Sequence, residues 1–266
     1  MITIQNYVRP KSLQEAYELN QKRSARIIGG MMWLKTGDIS IHTAIDLSDL
    51  GLDTIRETEK EFSIGAMVTL RQLEQHPGLG EYTNGAMEKA VKDIVGVQFR
   101  NMATIGGSIF GRFGFSDVMT LFLSMETYVE LYAGGTVPLE EFCHMKKDSD
   151  ILVRLIVKKR PGRFTYATVR KSRTDFSVLA CAVSCVKGEH RVVIGARPGA
   201  PRLLRDRGGI LAGGYSEEAI ARFADLAART IPTGENIRGS AAYRTRLIRV
   251  LTERCLKEME GEKHGN

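Results

Sequence analysis

No run of about 18 consecutive apolar residues occurs in this chain, so a helical membrane span is excluded. The first ten residues, Met1 to Pro10, lack the basic start and long apolar stretch of a secretory signal, and none is expected. The four cysteines (Cys143, Cys181, Cys185 and Cys255) show no metal-ligand spacing. Cys181 and Cys185 stand inside the apolar segment Val178–Val186 and read as small hydrophobes. The five histidines are scattered and read as surface or turn residues. No Ser-His-Asp order with a nucleophile elbow is present, and Asp150 and Asp175 flank strand-like segments where exposure is expected. No catalytic residue and no metal site is therefore expected. The cysteine usage points to the cytoplasm.

What is present is an ordinary globular balance, 43% hydrophobic and 26% charged, on 266 residues, enough to bury a sizeable core. The formal net charge is +7. Its basic residues fall in short groups, such as Lys146-Lys147, Lys158-Lys159-Arg160, and Arg244, Arg246 and Arg249. They are not interleaved with aromatics and no nucleic-acid module accompanies them. A solvated surface, or one that meets an acidic partner protein, is the expectation.

Along the chain, Ser12-Leu-Gln-Glu15 is a capping box that predicts a short helix through about Gln21. Short strands are predicted at Ala25–Ile28, Thr43–Leu47 and Phe62–Ala66, with a helix over Leu70–Gln75. Asn84–Val95 and Asp117–Met125 carry apolar residues at helical spacing, whereas Arg100–Ser108 reads as a glycine-containing loop. Tyr128–Tyr132, turning at Gly134-Gly135, and Ile151–Val157 read as strands. After Pro161-Gly162 come three strands (Phe164–Val169, Ser177–Val186, Arg191–Ala196). Two helices follow, from near Ser216 to Thr230 and from Ser240 to about Glu258, the second with Tyr243, Leu247, Leu251 and Cys255 on one face. The boundary falls near Lys159, giving a two-part domain over 1–159 (about 1–55 and 56–159) and a β-β-β-α-α domain over 160–260. A short charged tail, 261–266, is expected to be flexible.

Two glycine doublets carry the chemistry. Ile27-Ile-Gly-Gly-Met-Met32 and Thr104-Ile-Gly-Gly-Ser108 each place two glycines after an apolar run. Without Cβ atoms, backbone N–H groups can approach phosphate oxygens closely. From the glycines alone, a pair of tight turns with no ligand is the favoured reading.

The ordered set of segments narrows the choice. Ile64-Gly-Ala-Met-Val-Thr-Leu70, the Thr104–Ser108 doublet, Asp117 nine positions later, Ile45-Asp-Leu-Ser48, Gly195 with Ala200-Pro201-Arg202, and Gly239-Ser-Ala-Ala-Tyr-Arg244 resemble one family over nearly the whole chain. That family is the FAD-binding medium subunit of the xanthine dehydrogenase and carbon monoxide dehydrogenase molybdenum hydroxylases. The resemblance implies an α+β fold: a two-part FAD domain of the vanillyl-alcohol oxidase (PCMH) type, then a C-terminal domain of the CO dehydrogenase flavoprotein type. It implies that Ile27, Ile28, Gly29, Gly30, Met31, Met32 and Trp33 wrap the pyrophosphate and adenosine side of FAD. Ala103, Thr104, Gly106, Gly107 and Ser108 form the second phosphate loop. Ile151 and Leu152 pack apolar side chains on the flavin or adenine ring, and Ile94 is a further cofactor-binding residue. Asp117 accepts from a sugar or ribityl hydroxyl; on the residues alone it is also a sound helix N-cap.

The resemblance further implies partners: a large molybdopterin-binding subunit and a small [2Fe-2S] subunit in a hetero-oligomer, with electrons reaching FAD and then an acceptor such as NAD. Carbon monoxide, an aromatic acyl-CoA or an N-heterocycle are alternative substrates of such a complex. An FAD-less scaffold or assembly subunit, and a binding module without redox chemistry, are the readings from other classes. Departures from the family pattern sit at Met31-Met32-Trp33, at Ser108 where Asn is usual, in Gly111–Ser116, and at Thr168 where a Lys is frequent. They predict an unusual FAD affinity or flavin potential.

Overall fold

In the computed structural model, which describes residues 1–261, the first elements are β1 (Thr3–Val8), α1 (Leu13–Asn20), β2 (Ala25–Ile28), β3 (Ser40–Asp46), β4 (Ile55–Glu57) and β5 (Glu61–Gly65). Six helices follow: α2 (Leu70–Gln75), α3 (Pro77–Tyr82), α4 (Ala86–Val91), α5 (Val97–Met102), α6 (Ile105–Phe110) and α7 (Asp117–Ser124). Then come β6 (Thr127–Leu131), β7 (Gly135–Pro138), α8 (Leu139–Phe142), β8 (Leu152–Lys158), β9 (Gly162–Arg170), β10 (Ser177–Val186), β11 (Glu189–Gly195) and β12 (Arg202–Arg205). Helices α9 (Glu217–Thr230) and α10 (Ala241–Gly261) close the described chain. The described chain divides into two units: one of residues 1–72, 97–111 and 127–158, and another of residues 73–96, 112–126 and the described residues from Lys159 onward.

In the first unit, β3 is the centre of a three-stranded parallel sheet, β1-β3-β2, with Tyr7 opposite Ala44 and Ile27 opposite Ile45. Ala16 of α1 packs with Ala25, Ile45, Leu47, Leu52, Ile151 and Val153. Ser12 caps the helix as expected, its Oγ accepting the Glu15 N–H, while the Glu15 carboxylate accepts the N–H of Lys11, one residue before the cap, at 2.8 Å. Replacing Ser12 with alanine is expected to cost about 1 kcal/mol, measured by denaturant unfolding. The second sheet is antiparallel, β4-β5-β8-β6-β7. Alternating burial along β6 and β8 is the period-two pattern of a half-covered sheet.

The second unit is built on the antiparallel sheet β12-β11-β10-β9. Leu179, Cys181 and Val183 of β10 join Phe223 of α9 and Leu251 and Cys255 of α10 in one core. Ser184, of the opposite parity, donates to the Ser124 carbonyl at the end of α7. β10 is thus covered on both faces, which accounts for its unbroken apolar run. Cys181 is fully buried, and burial drives its thiol pKa well above the usual range, as befits a small hydrophobe.

Several expectations are corrected. Asn84–Val95 holds only the short helix Ala86–Val91. Arg100–Ser108 is not a loop but parts of two helices, with both glycines of the second doublet in the first turn of α6. Ser116, not Asp117, caps α7. The last module has a fourth strand, β12, a short edge strand whose Arg-Leu-Leu-Arg sequence carries little pattern. Tyr243 is 45% exposed and does not share the buried face of Leu247, Leu251 and Cys255. His190 is buried and hydrogen-bonded to the Tyr215 hydroxyl at 2.9 Å. Asp150 is also buried, accepting the N–H groups of Ala133, Gly134 and Ile151. α10 runs through Gly261, and the rest of the expected tail, 262–266, lies outside the described residues. Among the described residues, no helix is long and apolar enough to cross a membrane.

Candidate cofactor-binding site

The first doublet follows β2 directly. A Cβ built on Gly30 would lie 1.6 Å from the Met102 carbonyl oxygen, and one on Gly29 would lie 2.7 Å from Thr104 Oγ1. The two doublets therefore abut, and glycine is what permits the approach. The second doublet is fixed by backbone bonds to the segment after β5. Leu70 N–H donates to Ala103, Ile105 N–H to Val68, and Gly106 N–H to Ala66. This explains physically why Ile64–Leu70 and Thr104–Ser108 occur as a set. Gly106 has its own packing reason, since a Cβ there would sit 2.6 Å from the Ala66 carbonyl.

Thr104 caps α6, its hydroxyl accepting the Gly107 N–H at 3.2 Å. The Gly106 and Gly107 amides are thus engaged within the protein. A hydroxyl that accepts one bond still keeps its own proton to donate, so Thr104 is the polar group this doublet can direct at an anion. Ser108 spends its hydroxyl on the Thr104 carbonyl.

Both doublets open onto one cavity of about 460 Å³, within the range of about 300–1,000 Å³ typical of small-molecule sites. Of the residues expected from the sequence, the structure gathers Ile27, Ile28 and Gly29, then Thr104, Gly106 and Gly107, then Ile151 and Leu152 around it. The apolar side chains of Ile27, Ile28, Ile151, Leu152 and Met67, with the Thr104 hydroxyl and the glycines in the same lining, suit a ligand with a ring and a polar chain. Arg26 and Lys147 also line it and were missed. Arg26 is the outward residue of a strand recognised for its apolar neighbours, and Lys147 is one of several scattered basic pairs. Neither carries a sequence pattern.

The other expected residues lie elsewhere. Gly30 and Ala103 form the contact between the doublets. Met31 adopts a left-handed backbone, φ 56°, and packs beside Ile28, Ile41 and Ala44. Met32 is half-buried, and Trp33, 40% exposed, precedes a single 3₁₀ turn. Ile94, half-buried, and Asp117 belong to the second unit. There the Asp117 carboxylate accepts the Tyr166 hydroxyl at 2.6 Å, the Ser177 hydroxyl at 2.7 Å and the Arg170 guanidinium at 2.8 Å.

Residues 2–159 match the family model for the FAD binding domain in molybdopterin dehydrogenase. The chain belongs to that family. Residues 164–259 of this family member match the CO dehydrogenase flavoprotein C-terminal domain. It is 27% identical to the uncharacterized protein YgfM of Escherichia coli K12, with 93% of each chain covered. It is 26% identical to the carbon monoxide dehydrogenase medium chain of Hydrogenophaga pseudoflava, covering 94% of this chain and 95% of that one. Its fold matches a solved carbon monoxide dehydrogenase from Hydrogenophaga pseudoflava that lacks the Mo-pyranopterin moiety, with TM-score 0.81, 25% identity, and 95% and 96% of the two chains covered. The α+β fold and the family expected from the ordered motifs are thereby confirmed.

Proposed function

We propose that this molybdopterin dehydrogenase family member is the medium subunit of a cytoplasmic molybdenum hydroxylase and holds FAD in the cavity between its two glycine doublets. Residues 1–159 serve as the FAD-binding domain and residues 160–260 as the C-terminal domain. A large molybdopterin-binding subunit and a small [2Fe-2S] subunit complete the hetero-oligomer. Bound FAD supplies the two-electron chemistry, linking those centres to an acceptor such as NAD in the xanthine dehydrogenase manner. The chain's own residues bind and orient: Gly29 and Gly107 leave room for a diphosphate, Thr104 donates to it, Arg26 and Lys147 offset its charge, and Ile151 and Leu152 give a ring an apolar wall. The relatives' names support a subunit role and span several substrates, carbon monoxide and nicotine among them; an aromatic acyl-CoA or another N-heterocycle is equally compatible with this chain.

The observation that carries the reading is the convergence of both doublets on one cavity. Purification followed by acid release and identification of the chromophore tests it. FAD in stoichiometric amount is the expected result, and a colourless protein that takes up no added FAD would leave the scaffold reading standing. Thr104→Val is expected to cost about 1 kcal/mol of stability by uncapping α6. It should weaken FAD binding at least tenfold, the loss of about 1.5–3 kcal/mol for a hydrogen bond to a charged group. Thr104→Ser should retain both, as read by flavin fluorescence titration.

A further inference from the structure

The second unit contains its own cavity, about 220 Å³, lined by Phe115, Phe176, Ser177, Pro198, Asn236 and Arg238 together with glycine and alanine backbone. It is smaller than the roughly 300 Å³ at which sites for drug-sized ligands begin, so its occupant is a single ring rather than a nucleotide. Phe115 meets Phe176 edge-on at 4.9 Å, and the Arg238 guanidinium lies 4.7 Å above the Phe176 ring. Arg238 reaches Asp175 with one terminal nitrogen at 3.3 Å, while its buried Nε–H finds no acceptor among the described residues.

The surroundings carry an excess of positive charge. Arg244 is fully buried and, among the described residues, its hydrogen bonds go to neutral oxygens: the carbonyls of Val178, Gly234 and Gly239 and the side chain of Asn236. Arg197, beside Gly199 of the lining, donates to the carbonyls of Ala200 and Pro232. Lys171 donates to the Ile237 carbonyl. Counting Arg170, five cations thus accompany three carboxylates: Asp175, Asp117 bonded to the lining residue Ser177, and the exposed Glu235 of the loop that carries Asn236 and Arg238. Burial, and then the neighbouring Arg238, lowers the pKa of Arg244, as expected where cations crowd without counter-ions.

We propose that this cavity binds a small aromatic carboxylate, with its ring against Phe115 and Phe176 and its carboxylate on Arg238. An anion there pairs with the Arg238 guanidinium that lines the cavity and offsets the surrounding excess of positive charge. The site does not rest on the FAD reading.

Calorimetric titration of the full-length chain, first as purified and again after addition of saturating FAD, tests it, with benzoate as probe. Benzamide, cyclohexanecarboxylate and inorganic phosphate serve as the uncharged, non-aromatic and simple-anion counterparts. Benzoate is expected to bind saturably and at least tenfold tighter than any of the three. Arg238→Met should weaken benzoate at least tenfold and Arg238→Lys less, both with unchanged thermal melting. Phe176→Leu should weaken it while leaving the guanidinium in place, giving a second test should the Arg238 variants misfold. No saturable binding, equal binding of any counterpart, or indifference to all these variants overturns the proposal. So does benzoate binding that disappears when the protein is saturated with FAD, because the cavity would then belong to the cofactor site.

Discussion

Alanine at position 30 is expected to lower stability by about 3 kcal/mol or more, the upper end of overpacking costs, and Tm by roughly 6–12 °C at about 2–4 °C per kcal/mol. The three nearest neighbours of the added Cβ are backbone: the Met102 carbonyl oxygen at 1.6 Å, its carbon at 2.3 Å and the Ala103 nitrogen at 3.0 Å. Backbone cannot rotate away as a side chain can. Ala103 is also held at both ends, its N–H by the Phe99 carbonyl and its carbonyl by the Leu70 N–H. Relief requires residues 29–30 to part from 102–103, which would open the cavity as well as loosen the fold. Gly29→Ala is the contrast. Its nearest neighbour is the Thr104 hydroxyl at 2.7 Å, the end of a side chain that can turn. Turning it undoes the cap on Gly107, at a cost of about 1 kcal/mol, and removes the donor from the cavity. Gly29→Ala should therefore lose FAD with little loss of stability, and Gly30→Ala should lose both. A Gly30→Ala protein as stable as Gly29→Ala would mean that the close approach is not what fixes this site.

The contrast also shows what was legible beforehand. A glycine doublet after a strand announces a close approach, and the two doublets do meet. That the second opens a helix was hidden, because glycine costs about 1 kcal/mol in a helix and the turn forms through tertiary bonds: Thr104 caps it while Ala66 and Val68 pin its first amides. The start of α9 at Ser216 and the strand nature of β10 could be read directly, since a cap and an unbroken apolar run are local signals. β1 could not, for Thr3–Val8 is exposed along most of its length and has no alternation to read. Of the cavity, the apolar and glycine residues were visible as motif, whereas Arg26 and Lys147 arrive there by the fold alone.

Asp117→Asn is expected to cost about 3–5 kcal/mol, because it strips the counter-ion from a buried guanidinium. The side chains of Asp117 and Arg170 are only 7% and 6% exposed, and they meet at 2.8 Å. The same carboxylate receives the hydroxyls of Tyr166 and Ser177, so one group on α7 ties β9 to β10. Burial first and the Asp117 charge second push the Tyr166 pKa far above its usual value, which keeps that hydroxyl a donor. Arg170→Met should be costly for the converse reason, leaving the carboxylate buried without its cation. The double variant, Asp117→Asn with Arg170→Met, removes both charges and should be more stable than either single variant, as expected where a buried pair rather than two separate contacts is at stake. Denaturant unfolding of FAD-free protein is the decisive measurement. A residue whose main partner is a sugar hydroxyl of FAD would leave that stability unchanged when substituted and lower only cofactor affinity. Three protein donors already on the carboxylate argue for the other outcome, a loss of stability that does not depend on whether FAD is bound.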